Sequence, residues 1–380
     1  MLTATRAEYS LLVPVVRAMQ ERPGMHPYMI VTGMHLSPEY GMTVNQIEAD
    51  GIEIAARIPI LVGGDSACAT SKSMALATLG FADHFAARRP DCLVVLGDRF
   101  ETLAVCCAAF NERIPIVHIH GGEKTEGAAD DAYRHCITKL SQLHFTSTEE
   151  YRRRVIQLGE DPERVYNVGA LGVENAANVA LMSLQELSDS LNRPLKKPFV
   201  LMTYHPVTVD SEGAEKECRA LLDAMGRFPA LNYLATQANA DAGGMIINQM
   251  LSEYADAHEN MIFVKTLGMR RYLSAIHECA FVLGNSSSGI LEVPSFHKPT
   301  VNIGNRQKGR IAGESVIHCG NDADSIAAAM ERALSADFRE KAARAVNPYE
   351  KPGTSAAIAD RIESYFSMDG AHYLKSFYDL

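Results

Sequence analysis

The chain has 380 residues, 47% of them hydrophobic, and a formal net charge of −10. That length and composition fit a two-domain globular protein, and the acidic balance argues against the basic face that bulk nucleic-acid binding needs. No run of about 18 apolar residues marks a membrane span, and no charged-then-apolar leader precedes a small-residue cleavage site. A cytoplasmic protein without nucleic-acid or membrane partners is therefore expected.

The first residues, Met1-Leu2-Thr3-Ala4, are too short for a full strand before Thr5-Arg6-Ala7-Glu8-Tyr9. Either that strand is truncated or the true start lies upstream. A helix is predicted over 9–20. Apolar runs bounded by turn residues then predict strands over 28–31, 92–96, 114–119, 144–146 and 165–168, with helices over 100–110 and 149–158. A polar helical bridge over 174–192 ends where Arg193-Pro194 and Lys197-Pro198 break the helix. The series then restarts, with strands over 199–202, 231–235, 262–264, 281–283 and 300–303 and helices over 214–225 and 269–279. A last helix over 356–366 is placed to rejoin the first half. Strands alternating with helices predict a parallel α/β architecture: two Rossmann-like domains facing a cleft. The expected division is residues 1–172 with 356–380, and 173–355.

The densest chemistry follows the run 114–119. His118, His120, Gly121, Gly122 and Glu123 are followed by Asp130, Asp131, Arg134 and His135. In an open parallel sheet, ligands bind outside the carboxyl ends of the strands, so these proton-transfer groups stand where chemistry is expected. Alternation on a strand would turn His118 and His120 to one side, near Asp130, Asp131 and His135. That set also suits zinc or manganese. The eight cysteines show no paired metal spacing and read as reduced, buried thiols.

Gly97-Asp98-Arg99-Phe100-Glu101 follows another buried run and opens a helix. Asp98 either serves at the strand's carboxyl edge or merely caps the helix, and Arg99 is placed to meet an anion. Gly284-Asn285-Ser286-Ser287-Ser288-Gly289 also follows an apolar strand. Its small residues, free amides and hydroxyls suit phosphate oxygens, while Glu292 suits a ribose diol better than a phosphate. Arg6, Arg306 and Arg310 carry guanidinium forks that fit a diphosphate. His205, past the strand 199–202, is positioned to polarise a leaving phosphate or donate a proton.

In this order the motifs resemble the hydrolysing UDP-N-acetylglucosamine 2-epimerases of bacterial sialic acid synthesis. The match runs from Thr5–Tyr9 through Val31-Thr32-Gly33-Met34-His35, Gly97-Asp98-Arg99, His118 to Glu123 and Arg134 to Lys139. It continues through Gly284 to Glu292, Asn302 to Arg310 and the closing Phe377-Tyr378-Asp379. The resemblance implies a glycosyltransferase-B-like fold, conversion of UDP-GlcNAc and water to ManNAc and UDP, no metal or other cofactor, and a homodimer or homotetramer. It assigns Asp98 and Asp130 to acid/base positions and His205 to the leaving diphosphate. His120 stands where some members carry Glu. Arg6, Ser10, Asn239, Ser286, Ser287, Glu292 and Arg306 match nucleotide or sugar contacts, and Arg99 and His118 join the expected substrate-binding set. Ala4 replaces a glycine common in the family's first loop. Rival readings are a sister epimerase acting on a UDP-diacetamido-trideoxyhexose in legionaminic acid synthesis, a glycosyltransferase, and a non-catalytic UDP-sugar-binding regulator.

Overall fold

The computed structural model describes residues 1–63, 66–125, 129–206, 211–238, 244–368 and 373–380. Contacts divide the chain into two compact units, Met1–Asn175 with Lys351–Leu380, and Ala176–Glu350.

In the first unit, parallel strands β1 (Leu2–Thr3), β2 (Met29–Thr32) and β3 (Ile54–Ile58) pair in that order. Strands β4 (Leu93–Leu96), β5 (Ile116–Ile119), β6 (Leu143–Thr146) and β7 (Val165–Asn167) form a second parallel ladder. β1 packs beside β4. Read across, the order is β3-β2-β1-β4-β5-β6-β7, and the order of successive strands reverses between β1 and β4. That reversal is where an open α/β sheet leaves a crevice for ligands. Strands β4, β5 and β6 are buried along their whole length, as helix-covered parallel strands must be.

The helices of this unit are α1 (Arg6–Gln20), α2 (Val44–Ala49), α3 (Ala67–Ala87), α4 (Phe100–Asn111), α5 (Ala129–Leu140) and α6 (Glu149–Gln157). The helix Thr354–Phe366 packs on α1, and Arg22 is ion-paired with Asp360 across that contact. α1 begins with a capping box in which Thr5 and Glu8 satisfy each other's backbone amides. Ala4 is fully buried just ahead of it.

The second unit holds one six-stranded parallel sheet. Its strands are β8 (Phe199–Thr203), β9 (Asn232–Thr236), β10 (Met261–Val264), β11 (Phe281–Gly284), β12 (Thr300–Ile303) and β13 (Val316–Cys319), ordered β10-β9-β8-β11-β12-β13. Its strand order reverses between β8 and β11. A tight crossing there requires glycine: a Cβ on Gly284 would stand 1.9 Å from the Thr203 carbonyl oxygen.

The bridge expected over 174–192 is two helices, Leu171–Asn178 and Leu184–Leu191, because Ser183 and Glu186 form a fresh capping box that starts the second. Among the described residues no helix is long and apolar enough to cross a membrane.

Candidate active site

At the carboxyl edge of the first sheet the chain leaves β4 through Gly97, with φ +82°, and starts α4. Asp98 does not cap this helix. Arg99 occupies the N-cap position, and no side chain closes the cap. The Asp98 carboxylate is instead ion-paired with Arg134. Arg134 is only 1% exposed. One of its terminal nitrogens donates to the Glu123 carbonyl at 2.9 Å and to Asp131 Oδ1 at 3.0 Å. The other donates to Thr125 Oγ1 at 3.1 Å as well as to Asp98. A rigid planar fork with this many partners holds the Asp98 carboxylate in one place. Sequence reasoning had noted Arg134 without giving it a role; a lone Arg inside an amphipathic helix carries no signal that it will be buried.

Asp130 lies in the first turn of α5, exposed at its surface. Desolvation by the surrounding protein, then the charge of Asp98, hold its carboxyl above the ordinary range, against the pull of Arg99 and Arg134. Two nearby acids in unlike surroundings are the arrangement from which separate acid and base roles arise.

The expected shared face of His118 and His120 does not form. β5 ends at Ile119, and His120 takes φ +65° while its amide donates to the Phe145 carbonyl at 2.7 Å. His118 is fully buried. Burial drives its pKa down to about 3, so the ring is neutral. Its Nε2 donates to the Gly97 carbonyl at 2.8 Å, and its Nδ1 accepts from Thr138 Oγ1 at 3.2 Å. The ring has no nitrogen left for a substrate. His118 is a buttress beneath the Asp98 turn, which corrects its expected place among the substrate contacts. His120, half-buried at the strand's end, has its Nε2 placed to accept from the Leu171 amide at 3.5 Å.

Arg99 also departs from expectation. Its guanidinium lies 2.8 Å from Glu101 Oε1 and 3.8 Å from Glu8 Oε1, so two carboxylates already compensate the charge expected to meet an anion. Glu8 Oε2 accepts from the Ala4 and Thr5 amides at 2.8 and 3.1 Å, and burial pushes its pKa up to about 7. This acid, at the meeting of β1 and β4, is a group that sequence reasoning missed because it also reads as half of a capping box. Arg6 is exposed on the first turn of α1; Ser10, one turn on, donates to the Ala7 carbonyl at 2.9 Å.

The second unit repeats the plan. Past β8, the backbone of His205 is clamped on both sides by Asn285: the His205 amide donates to Asn285 Oδ1 and Asn285 Nδ2 donates to the His205 carbonyl, each at 2.8 Å. Asn285 is fully buried, and its own carbonyl receives Gln307 Nε2 at 3.0 Å and an Arg306 nitrogen at 3.3 Å. Ser286 and Ser287 follow, half-buried, ahead of a helix of one turn, Ser288–Leu291. So short a helix has little dipole, which leaves amides and hydroxyls as the groups able to receive an anion. Glu292 Oε2, Ser288 Oγ and Tyr272 Oη are all buried, and none closes a well-formed hydrogen bond. Burial raises the Glu292 carboxyl, with Ser288 and Arg310 opposing. Buried polar atoms left open cost free energy unless something binds them. Asn239 lies outside the described residues.

Asn285→Ala should cut turnover at least tenfold, because His205 loses both of its backbone clamps and each buried group left unpaired costs about 1–3 kcal/mol. Steady-state kinetics beside a thermal melt checks it; unchanged turnover would show that the clamp does not serve His205.

Taken over the chain, a family model described as UDP-N-acetylglucosamine 2-epimerase matches residues 17–363. The chain belongs to that family. It is 40% identical over 342 residues to the GDP/UDP-N,N'-diacetylbacillosamine 2-epimerase (hydrolyzing) of Campylobacter jejuni, covering 89% of this chain and 88% of that one. It is 36% identical over 380 residues to polysialic acid biosynthesis protein P7 of Escherichia coli, covering 100% and 96%. Among solved structures, the UDP-GlcNAc 2-epimerase from Neisseria meningitidis bound to UDP-GlcNAc superposes with a TM-score of 0.80 at 19% identity, over 96% and 98% of the two chains. This epimerase-family chain thus has the expected glycosyltransferase-B-like fold, with a reversal of strand order in each parallel sheet.

Proposed function

We propose that this family member is a hydrolysing 2-epimerase that converts UDP-GlcNAc and water to ManNAc and UDP. The observation that carries the reading is the division of labour between two switch points. One presents Asp98 on a buried guanidinium beside the raised-pKa Asp130. The other presents the clamped His205, the Ser286-Ser287 turn and the open Glu292 carboxyl oxygen.

The C2 proton of the sugar is a poor acid because no carbonyl activates it. Its removal must be coupled to breaking of the C1–O bond. A base takes the C2 proton, the electron pair forms the C1–C2 double bond, and UDP leaves with the C1 oxygen. Charge growing on that oxygen is met by His205, the serine hydroxyls and amides, and Arg306. Water then adds to C1 of the glycal, and an acid delivers a proton to the opposite face of C2. Asp98, Asp130 and His120 supply the acid and base for the two steps. Arg6 and Ser10 contact the substrate, and Glu292 accepts from the ribose hydroxyls.

Turnover in heavy water tests this scheme. The released ManNAc should carry deuterium at C2, and UDP should appear without any acceptor. A product with only hydrogen at C2 would refute proton abstraction; release of UDP only with an acceptor would make the protein a glycosyltransferase.

A second reading has its own support. The 40% identity to the Campylobacter jejuni enzyme favours UDP-N,N'-diacetylbacillosamine as substrate. The chemistry at C1 and C2 is the same, and parallel kcat/KM measurements on both nucleotide sugars decide between them.

A further inference from the structure

At the outer edge of β7, which pairs only with β6, the first unit has a cavity of about 380 Å³ that the chemistry above does not use. It stands three strands away from β4, where the strand order reverses. Glu149 and Arg152 of α6, Tyr166 and Asn167 of β7, and Lys351 and Arg361 of the returning segment line it. Arg152 is paired with Glu149 at 3.3 Å and held by the Val165 and Pro162 carbonyls at 2.7 and 3.0 Å. Lys351 donates to the Asn167 carbonyl at 3.1 Å, and the Arg361 guanidinium lies over the Tyr166 ring, 4.7 Å from its centroid. Tyr166 is fixed in turn by stacking on the buried Phe145 ring. Neither Lys351 nor Arg361 has a carboxylate partner among the described residues. The Asn167 side-chain oxygen accepts from the Gly169 amide at 3.4 Å, and its NH2 group is unengaged among those residues.

We propose that this cavity binds a small organic phosphate monoester. Charge selects the ligand class. Arg152, Lys351 and Arg361 against Glu149 leave two positive charges uncompensated. A phosphate monoester brings about −1.5 to −2 at neutral pH, and a carboxylate only about −1. Two unpaired cations in one cavity repel each other, and an anion between them relieves that repulsion. Geometry agrees with charge. A guanidinium held by its face against a ring presents its N–H edge, which meets two phosphate oxygens at once. The Lys351 ammonium has donors left after Asn167, and the Asn167 NH2 adds a neutral one. Size selects an ester over a bare ion. The volume falls in the range of about 300–1,000 Å³ that small-molecule sites occupy, and Val168 and Pro352 supply apolar wall for the rest of the molecule.

Titration calorimetry on the full chain tests this, with UDP present throughout to fill any nucleotide site. Glucose 6-phosphate should bind with a Kd of about 1 mM or below, and glucose should not bind. Galacturonate, with its single charge, and inorganic phosphate, with no ester group, should both bind more weakly than glucose 6-phosphate. Arg361→Ala and Lys351→Ala should each weaken glucose 6-phosphate about tenfold or more. Both side chains are exposed, so the thermal melt of each variant should match that of the unaltered protein. No binding of glucose 6-phosphate would overturn the proposal, as would galacturonate binding equally well or an affinity indifferent to both variants. Inorganic phosphate binding as tightly as the ester would overturn it too, since the cavity would then hold an adventitious ion only.

Discussion

Asp98→Asn should lower turnover by about 10²–10⁴-fold while the protein folds as before. The carboxamide keeps the size of the carboxylate and still offers an oxygen to Arg134, and Arg134 retains Glu123, Thr125 and Asp131 as partners. What is lost is the ability to take or give a proton at this position. Asp130 lies within electrostatic reach, and removing the Asp98 charge removes one of the three causes, with desolvation and the Glu101 charge, that hold the Asp130 carboxyl up. The acidic limb of any residual pH profile should therefore move to lower pH, since Asp130 then ionises more readily. UDP release followed across pH, together with a denaturation curve, measures both effects. Turnover near that of the unaltered protein would place the acid/base chemistry elsewhere.

Glu160→Gln should cost about 3–5 kcal/mol of stability at neutral pH without a change of substrate chemistry. Glu160 is 2% exposed and gathers three cationic or proton-bearing groups: Lys139 and Lys375 at 2.6 Å each, and His144 Nε2 at 3.1 Å. Burial works to raise its pKa, but His144, Lys375 and Lys139 overcome it and bring the carboxyl down to about 2. A carboxyl whose folded pKa lies below its unfolded value stabilises the protein above the unfolded value, and that contribution fades as pH falls from about 4.5 towards 2. The shift is worth about 3 kcal/mol. Urea denaturation should show the variant weaker at pH 7 and less sensitive to acid over that interval. Loss of under about 1 kcal/mol would mean that the lysines find equivalent partners.

That cluster also shows how the closing segment is held. Lys375 reaches the Thr138 and Ser141 carbonyls at 3.3 and 2.6 Å, at the carboxyl end of α5, and the Tyr378 amide donates to the Gly159 carbonyl at 2.9 Å. Gly159, at φ +87°, leaves room for the Phe377 ring where any Cβ would collide. The closing Phe377-Tyr378-Asp379 motif, visible in the sequence, is thus explained by packing.

Much of the architecture was legible because it is written locally. Buried parallel strands such as β4, β5, β8 and β11 read as short continuous apolar runs, and the turns after them read as glycine followed by polar residues. The same signal located Asp98, His205 and the serine turn at strand ends. β3 was missed because its residues are half-exposed and broken by Arg57, and β13 because His318 and Cys319 interrupt its apolar run. α3 was missed for the opposite reason. A helix with apolar residues on both faces loses the 3.6-residue period that would reveal it, and here Leu76 and Leu79 stand exposed while Ala77, Phe81 and Phe85 are buried.

The sequence by itself determined the element series, the family resemblance and the chemical classes present, since apolar runs, glycine turns and ordered motifs are properties of neighbours along the chain. Only the tertiary structure decided what each polar group does. His118 and His120 are two residues apart, yet one is a neutral, buried buttress and the other stands at the strand's end. Arg99 and Arg134 look alike on paper, yet one is spent on Glu101 and Glu8 while the other holds Asp98. Burial and partner geometry set a group's charge and reach, and these come from strands brought side by side across tens of residues, which no local pattern records.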